Sequence, residues 1–180
     1  SGDMCLGALV DAGVPMEKLK KELKKIPIEG YEIHAKKVKR AGIAATKVDV
    51  IRKVKSKEEK AKRWEDIEKI IYKSSISQGT KEKGLKVFKG LFEAEAKVHG
   101  EKFNNIHLHE LGAVDCIVDV FGTIIGLDIL GVKKVYSSPI NLGGGSVKTK
   151  HGILPVPAPA AVSVLGGVPV YSTDILFELT

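Results

Sequence analysis

The segment from His107 to Asp119 concentrates the residue types that could bind a metal ion. It holds two histidines and three carboxylates within thirteen residues of otherwise apolar sequence: His107, His109, Glu110, Asp115 and Asp119. Histidines two positions apart point the same way on a strand, and aspartates four positions apart share one face of a helix. Because the two aspartates repel each other, we expect a cation beside them, and a divalent metal is the simplest candidate. Imidazole and carboxylate ligands suit nickel, zinc, manganese or iron.

Each of these residues also has a purely structural interpretation. The histidines could be partly exposed side chains of a strand, Asp115 could be a helix N-cap, and Asp119 could pair with a lysine. Taken together, the five residues favour metal binding over these separate roles. His99, in the last turn of a predicted helix, is a weaker candidate ligand, and its structural role would be to offset the helix dipole.

A second candidate site is the glycine-rich loop at 141–146. Successive glycines let backbone N–H groups approach a phosphate or carboxylate, and nearby basic residues add positive charge. The residues of this predicted anion site are Gly143, Gly144, Gly145, Lys148, Lys150 and His151. The loop is neither a P-loop nor a dinucleotide-binding fingerprint, because the required spacing is absent. A plain hairpin turn explains the glycines equally well.

The composition of the chain excludes some classes of function. The 180 residues include 29 Lys and Arg against 22 Asp and Glu, for a net charge of +7. A basic surface attracts nucleotides and phosphates, but a lysine- and glutamate-rich thermophilic surface explains most of these lysines. Aromatic residues are too sparse for a single-stranded nucleic-acid platform. The longest apolar stretch, 116–132, is too short to span a membrane and is interrupted by aspartates.

The two cysteines, Cys5 and Cys116, lie far apart and in no paired motif. This pattern favours a reducing compartment over a disulfide framework. Cys116 lies among the acidic residues, and we interpret it as a small buried apolar side chain rather than a thiolate ligand.

Apolar periodicity and turn residues predict an α/β or α+β fold, with a layered mixed sheet and flanking helices. Two strands around Arg40-Ala41-Gly42 form a hairpin in a small lobe at 27–63, which ends in a mobile basic segment at 52–63. The pattern predicts helices at 5–13, 15–25, 64–73, 80–99, 113–130 and 160–165, and short strands at 106–110 and 134–138. The helix at 113–130 is apolar on most of its surface and should be buried.

Several motifs, in order along the chain, resemble those of one family. They are Ser-Gly-Asp-Met at 1–4, Ala-Glu at 94–95 with His-Gly at 99–100, His-Leu-His-Glu-Leu-Gly-Ala-Val-Asp at 107–115, Ser-Ser-Pro-Ile-Asn at 137–141, His-Gly-Ile-Leu-Pro-Val-Pro-Ala-Pro at 151–159 and Glu-Leu-Thr at 178–180. Over nearly its whole length the chain resembles the nickel insertion protein of nickel-pincer cofactor synthesis, which supports lactate racemase. The resemblance implies a cytoplasmic nickel chelatase, a lyase that inserts nickel into pyridinium bis-thiocarboxylate mononucleotide with hydrolysis of CTP.

The resemblance also implies how the family's chain is divided. The family has a strand and an Asp-Pro-Phe turn ahead of Ser-Gly-Asp-Met, and it continues beyond Glu-Leu-Thr into a region that carries the CTP site and its Mn²⁺ or Mg²⁺. We therefore expect residues 1–180 to be the amino-terminal domain of the family, as a fragment. Its expected partners are a nucleotide-like substrate, a carboxy-terminal domain and further copies of the same chain.

The resemblance and the residue chemistry indicate the same candidate residues. We expect His107, His109 and Glu110 to bind the metal or orient its ligands. Asp115 and Asp119 would complete the site or balance its charge. We expect Asp3, in the Ser-Gly-Asp-Met motif, to bind the substrate together with the residues of the glycine loop. No individual catalytic residue follows from the sequence.

Two other functions fit the same residues. A metal-dependent phosphoesterase also assembles His and Asp clusters, in two-metal hydrolytic sites. A non-catalytic nickel carrier or assembly module would bind nickel and dock to a partner through its basic surface.

Overall fold

The computed structural model describes residues 2–53, 62–108, 114–149 and 152–179, and it combines helices with short strands. In chain order the elements are α1 (Gly2–Asp11), α2 (Met16–Leu23), β1 (Tyr31–Arg40), β2 (Ile43–Arg52), α3 (Trp64–Lys73), α4 (Gln78–His99), a 3-10 helix (Phe103–Asn105), α5 (Val114–Ile129), β3 (Ile140–Asn141), β4 (Ser146–Thr149), β5 (Gly152–Pro155), α6 (Pro159–Val164) and β6 (Val170–Tyr171). The predicted mixed α/β class is confirmed.

Within the described ranges the strands form three two-stranded sheets, β1–β2, β3–β6 and β4–β5, instead of the one layered sheet that we expected. The pairs β1–β2 and β4–β5 are antiparallel, and β3–β6 is parallel. Prolines limit the shorter pairs, since Pro139 and Pro169 precede β3 and β6 and Pro155 ends β5. A proline removes a backbone donor and discourages further pairing.

The predicted hairpin is present, and each of its two strands has 10 residues. Its register runs from Tyr31 opposite Arg52 to Arg40 opposite Ile43. The two turn residues, Ala41 and Gly42, have φ of 46° and 85°. Positive φ at both positions is the geometry of a type I′ turn, whose twist matches the flanking strands. Arg52 lies in β2, which corrects its assignment to a mobile basic segment; residues 54–61 of that segment lie outside the described residues.

Glycines let α1 pack closely between the hairpin and α5. A Cβ on Gly7 would lie 2.5 Å from the backbone oxygen of Thr46 in β2. On the opposite side, Cβ atoms on Gly122 and Gly126 of α5 would each lie 2.8 Å from the methyl groups of Leu6 and Leu9. Both leucines are buried. These contacts fix the position of α1 to within a methyl group on both sides.

The core around α4 is built on Phe121, which is fully buried at the centre of α5. Its ring stacks on Phe88 with centroids 6.1 Å apart. A Cβ on Gly84 would lie 2.1 Å from the ring of Phe121, so α4 approaches α5 closely at this glycine. Ile67 and Ile71 of α3 and Ile117 of α5 are also fully buried.

The two short strands expected at 106–110 and 134–138 do not form in the described residues. Leu108 makes an isolated bridge to Lys62, and its N–H donates to the Lys62 oxygen at 3.0 Å. Residues 134–138 are irregular, and Val135 and Tyr136 in this stretch are 72% and 84% exposed. The β propensity of these residues therefore does not produce a strand by itself, because it depends on pairing and packing with neighbouring residues.

The chain forms two compact units. The first comprises residues 1–89 and 107–133, and the second comprises residues 90–106 and 134–180. In the second unit Phe92 packs on Phe103 with centroids 5.8 Å apart, and Gly143 bridges to Glu178. Among the described residues, the helices are all too short or too polar to cross a membrane.

Two alanine substitutions in α4 test the packing against Phe121. Gly84→Ala should destabilise the protein by about 1–3 kcal/mol, because Phe121 is fully buried and cannot retreat from the new methyl group. Gly90→Ala has nothing within 4 Å of its Cβ and should stabilise the protein by about 0.5–1 kcal/mol through helix propensity. Urea unfolding of both variants and the parent measures the difference. Equal stability of the two variants would contradict the packing described here.

Candidate functional site

The described part of the predicted metal segment begins with an exposed histidine. His107 lies between two buried residues, Ile106 and Leu108, which anchor the chain on either side of it. His109 and Glu110 lie outside the described residues, so the expected orientation of the two imidazoles stays a prediction. Within the described ranges, no group of three or more His, Cys, Asp or Glu side chains is placed to hold a metal ion.

Asp115 lies in the first turn of α5 and forms an ion pair with the hairpin. The Arg52 guanidinium donates from Nη2 to Asp115 Oδ1 at 2.8 Å, and both side chains are about half exposed. The sequence did not indicate this partner at the end of β2, because Arg52 is the first of a run of basic residues that suggested a solvated segment. The pair compensates the charge of Asp115 and ties the beginning of α5 to the hairpin.

Asp119, one turn further along α5, has a different environment. Its Oδ1 is buried and has no hydrogen-bond partner among the described residues. Its Oδ2 lies against α1, where a Cβ on Gly2 would be only 2.3 Å away. Among the described residues, no lysine is one of the charges that shift the pKa of this carboxylate, so the alternative of a lysine pair is not observed. Sequence reasoning missed the contact with Gly2, although the glycine precedes Asp3 in a recognisable motif.

Burial of the Asp119 carboxyl raises its pKa to about 6, with smaller contributions from the nearby charges of Asp3 and Asp115. Asp3 lies in the first turn of α1, where its Oδ1 accepts the N–H of Met4 at 2.9 Å. The structure therefore brings Asp3, which the sequence assigned to substrate binding, to the carboxylate that the sequence assigned to the metal. A proton or a cation would relieve the repulsion between these two groups.

Cys116 does not supply a thiolate. Burial raises the pKa of its thiol to about 12, and the neighbouring charges of Asp119 and Asp115 contribute. The thiol is therefore protonated at neutral pH, in agreement with its interpretation as a small buried side chain.

The remaining candidates lie in the second unit. His99 is in the last turn of α4, as predicted, and its Nε2 lies 3.3 Å from Oε2 of Glu95. Lys148 is exposed on β4, and Lys150 and His151 lie outside the described residues.

In the glycine loop, two backbone donors already have partners within the chain. The Gly143 N–H donates to Oδ1 of Asn141 at 3.1 Å, and the Gly144 N–H donates to the Phe177 oxygen at 3.3 Å. A Cβ on Gly145 would lie 3.5 Å from Leu176, an ordinary van der Waals contact. These contacts favour the interpretation of the loop as a packing turn, and anion binding by it stays a prediction.

The raised pKa of Asp119 predicts how the stability of the metal-free protein depends on pH. The native carboxyl binds its proton more tightly than the unfolded one, so the native state should lose stability as the pH rises from about 4 to about 6. Asp119→Asn removes this loss and should be more stable than the parent at pH 7.5 by on the order of 1 kcal/mol, since water screens the half-exposed group.

Thermal unfolding of parent and variant at pH 4.5 and pH 7.5 measures the effect. Asp174→Asn, at an exposed carboxylate, serves as the control. The difference between Asp119→Asn and the parent should grow with pH. A difference that does not change with pH would show that Asp119 is not desolvated in the folded protein.

Comparison with known proteins identifies the family. The family model described as nickel insertion protein matches residues 1–180. A pyridinium-3,5-bisthiocarboxylic acid mononucleotide nickel insertion protein of Geobacillus kaustophilus is 45% identical over 100% of this chain and 46% of its own length. A protein of the same name from Desulfitobacterium hafniense is 46% identical over 99% of this chain and 44% of its own length. The chain thus spans about half the length of these relatives. No solved structure matches it. The family match over the whole chain shows that this chain belongs to the nickel insertion proteins.

Proposed function

We propose that this chain supplies a nickel- and substrate-binding part of an enzyme that inserts nickel into a pyridinium bis-thiocarboxylate mononucleotide. The relatives at about 45% identity bear the name of that activity. The observation that carries the proposal is the buried, unpartnered oxygen of Asp119 beside Asp3, four residues after the conspicuous His107–Asp115 motif.

The donor set suits nickel as the metal substrate. Imidazole nitrogen and carboxylate oxygen are ligands that divalent nickel accepts. His107 is exposed and precedes His109 by two residues, so the segment can present imidazole to an ion arriving from solvent. A buried carboxylate oxygen without a partner is costly, and a bound cation would satisfy it.

The two aspartates of α5 have separate roles in this proposal. Asp115 is held by Arg52, which leaves it less able to bind a cation but able to fix the start of α5. Asp119 is the carboxylate that would bind nickel. Because Asp119 must release its proton to bind a cation, nickel affinity should weaken as the pH falls below about 6.

The rest of the proposed activity extends beyond these residues. We assign CTP, with Mn²⁺ or Mg²⁺, to the part of the relatives that this chain does not match. The glycine loop and Lys148 are the candidates for holding the substrate's anionic groups. The wide separation of the two cysteines, Cys5 and Cys116, supports a reducing compartment, and we place the protein in the cytoplasm and expect it to form oligomers.

A nickel carrier without catalysis is the second candidate. The observation that favours it is the match to about half of the relatives' length, since a binding half need not carry the reaction. Nickel binding without cofactor production in a full-length relative would favour the carrier.

The first test concerns the histidines. The double substitution His107→Ala and His109→Ala should abolish tight nickel binding in calorimetric titration, because it removes both imidazoles. His34→Ala is the matched control, since His34 is an exposed strand histidine paired with Glu32 in the same unit. Unchanged nickel affinity of the double variant would remove this segment from the site.

The second test concerns Asp119. A ligand that binds only the native state stabilises it by about 2.7 kcal/mol at a hundredfold excess over its Kd. For a chain of this size, that corresponds to a rise in Tm of roughly 5–10 °C. Asp119→Asn should raise the metal-free Tm and shrink the nickel-induced rise. An equal nickel-induced rise in variant and parent would exclude Asp119 from binding.

A further inference from the structure

Residues 168–179 expose most of their large apolar side chains. Seven of these twelve residues are large and apolar, and each is at least 40% exposed: Val168, Val170, Tyr171, Ile175, Leu176, Phe177 and Leu179. Leu176 and Phe177 reach 72% and 74%. Scattered exposed apolar residues are ordinary, but a run of this density marks an interaction surface.

The backbone that carries these side chains is anchored. The Leu142 N–H donates to the Tyr171 oxygen at 2.9 Å, and the Ile140 N–H donates to the Pro169 oxygen at 3.0 Å. Further along the chain, the Leu179 N–H donates to the Leu142 oxygen at 3.4 Å. The 168–179 segment is therefore held against β3 and the glycine loop, with its apolar side chains facing outward.

The second unit does not bury these side chains itself. Within 134–149 and 152–179, Leu142 and Val156 are the buried large apolar residues, whereas twelve others are exposed. Fixing a backbone costs about 1–2 kcal/mol per residue, which burial of apolar surface must offset. A stretch with so little burial of its own requires a second surface to cover it.

The charge of the stretch indicates what kind of surface this is. Residues 152–180 contain no lysine, arginine or histidine, in a chain with 29 lysines and arginines. The 168–179 segment carries only Asp174 and Glu178 as ionisable side chains apart from Tyr171. Nucleic acid and anionic lipid both require basic residues, so an apolar protein surface is the partner that fits.

We propose that the 168–179 segment docks onto the polypeptide that makes up the other half of the family's longer members. These relatives are about twice the length of the region that matches this chain. A partner of the same family, present in equal amount, suits a permanent and largely apolar interface. The proposal holds whether that half is joined to this chain or made separately, and it does not depend on the metal site.

Cysteine accessibility tests the proposal. In a Cys5→Ser background, Leu176→Cys and Lys39→Cys should both react readily with a maleimide, since both positions are exposed in the chain alone. Co-expression with the unmatched half of the Geobacillus relative should slow the reaction at Leu176→Cys about tenfold or more, as in the desolvated centre of an interface. Lys39→Cys, at the hairpin tip, should be unaffected.

The full-length Geobacillus relative provides the second measurement, because its two halves are made as one chain. A cysteine at its position aligned with Leu176 should be protected, and one aligned with Lys39 should react. Fast reaction at the first position would overturn the proposal. Protection of Leu176→Cys in this chain alone, together with a dimer in analytical ultracentrifugation, would assign the face to a second copy and also overturn it.

Discussion

The close packing of α1 between β2 and α5 is the constraint on which the candidate site depends. Three glycines, Gly7, Gly122 and Gly126, remove the side chains that would hold these elements apart. At this separation the first turn of α1 reaches Asp119, and Gly2 meets its carboxylate. A displacement of α1 by the width of one methyl group would open the space in which the Asp119 oxygen is now enclosed.

The same arrangement gives two aspartates on one helix different properties. Asp115 lies where the hairpin ends, so a guanidinium compensates its charge. Asp119 lies beneath α1, where burial and Asp3 favour its protonated form. The sequence spacing alone suggested two equivalent carboxylates on one helix face. Tertiary structure makes one of them a structural link between α5 and the hairpin and leaves the other able to respond to a proton or a cation.

Sequence reasoning succeeded where local rules dominate. The hairpin followed from its alternating strands and the Ala41-Gly42 turn, and α5 followed from its apolar surface. It failed where a partner from a distant part of the chain decides the outcome. The strand expected at 106–110 appears only as the bridge from Leu108 to Lys62 in the described residues, and Arg52 was read as a solvated charge. In the glycine loop, propensity does not reveal that the Gly144 N–H donates to Phe177, and anion binding by the loop stays a prediction.

The buried oxygen of Asp119 and the exposed 168–179 segment are stabilised by different kinds of binding event. An unpartnered buried oxygen costs about 1–3 kcal/mol and is relieved by one proton or ion. Covering an exposed apolar surface lowers the free energy in proportion to the area covered, by about 25 cal/mol for each Å². The cost at Asp119 depends on pH and metal, whereas the covering of the 168–179 segment depends on neither. The two effects can therefore be measured separately. Because no described residue belongs to both, coupling between nickel binding and association of the halves would require metal ligands from the other half or a conformational equilibrium that both events bias. Without either of these, the nickel affinity of this chain should equal that of its assembled form.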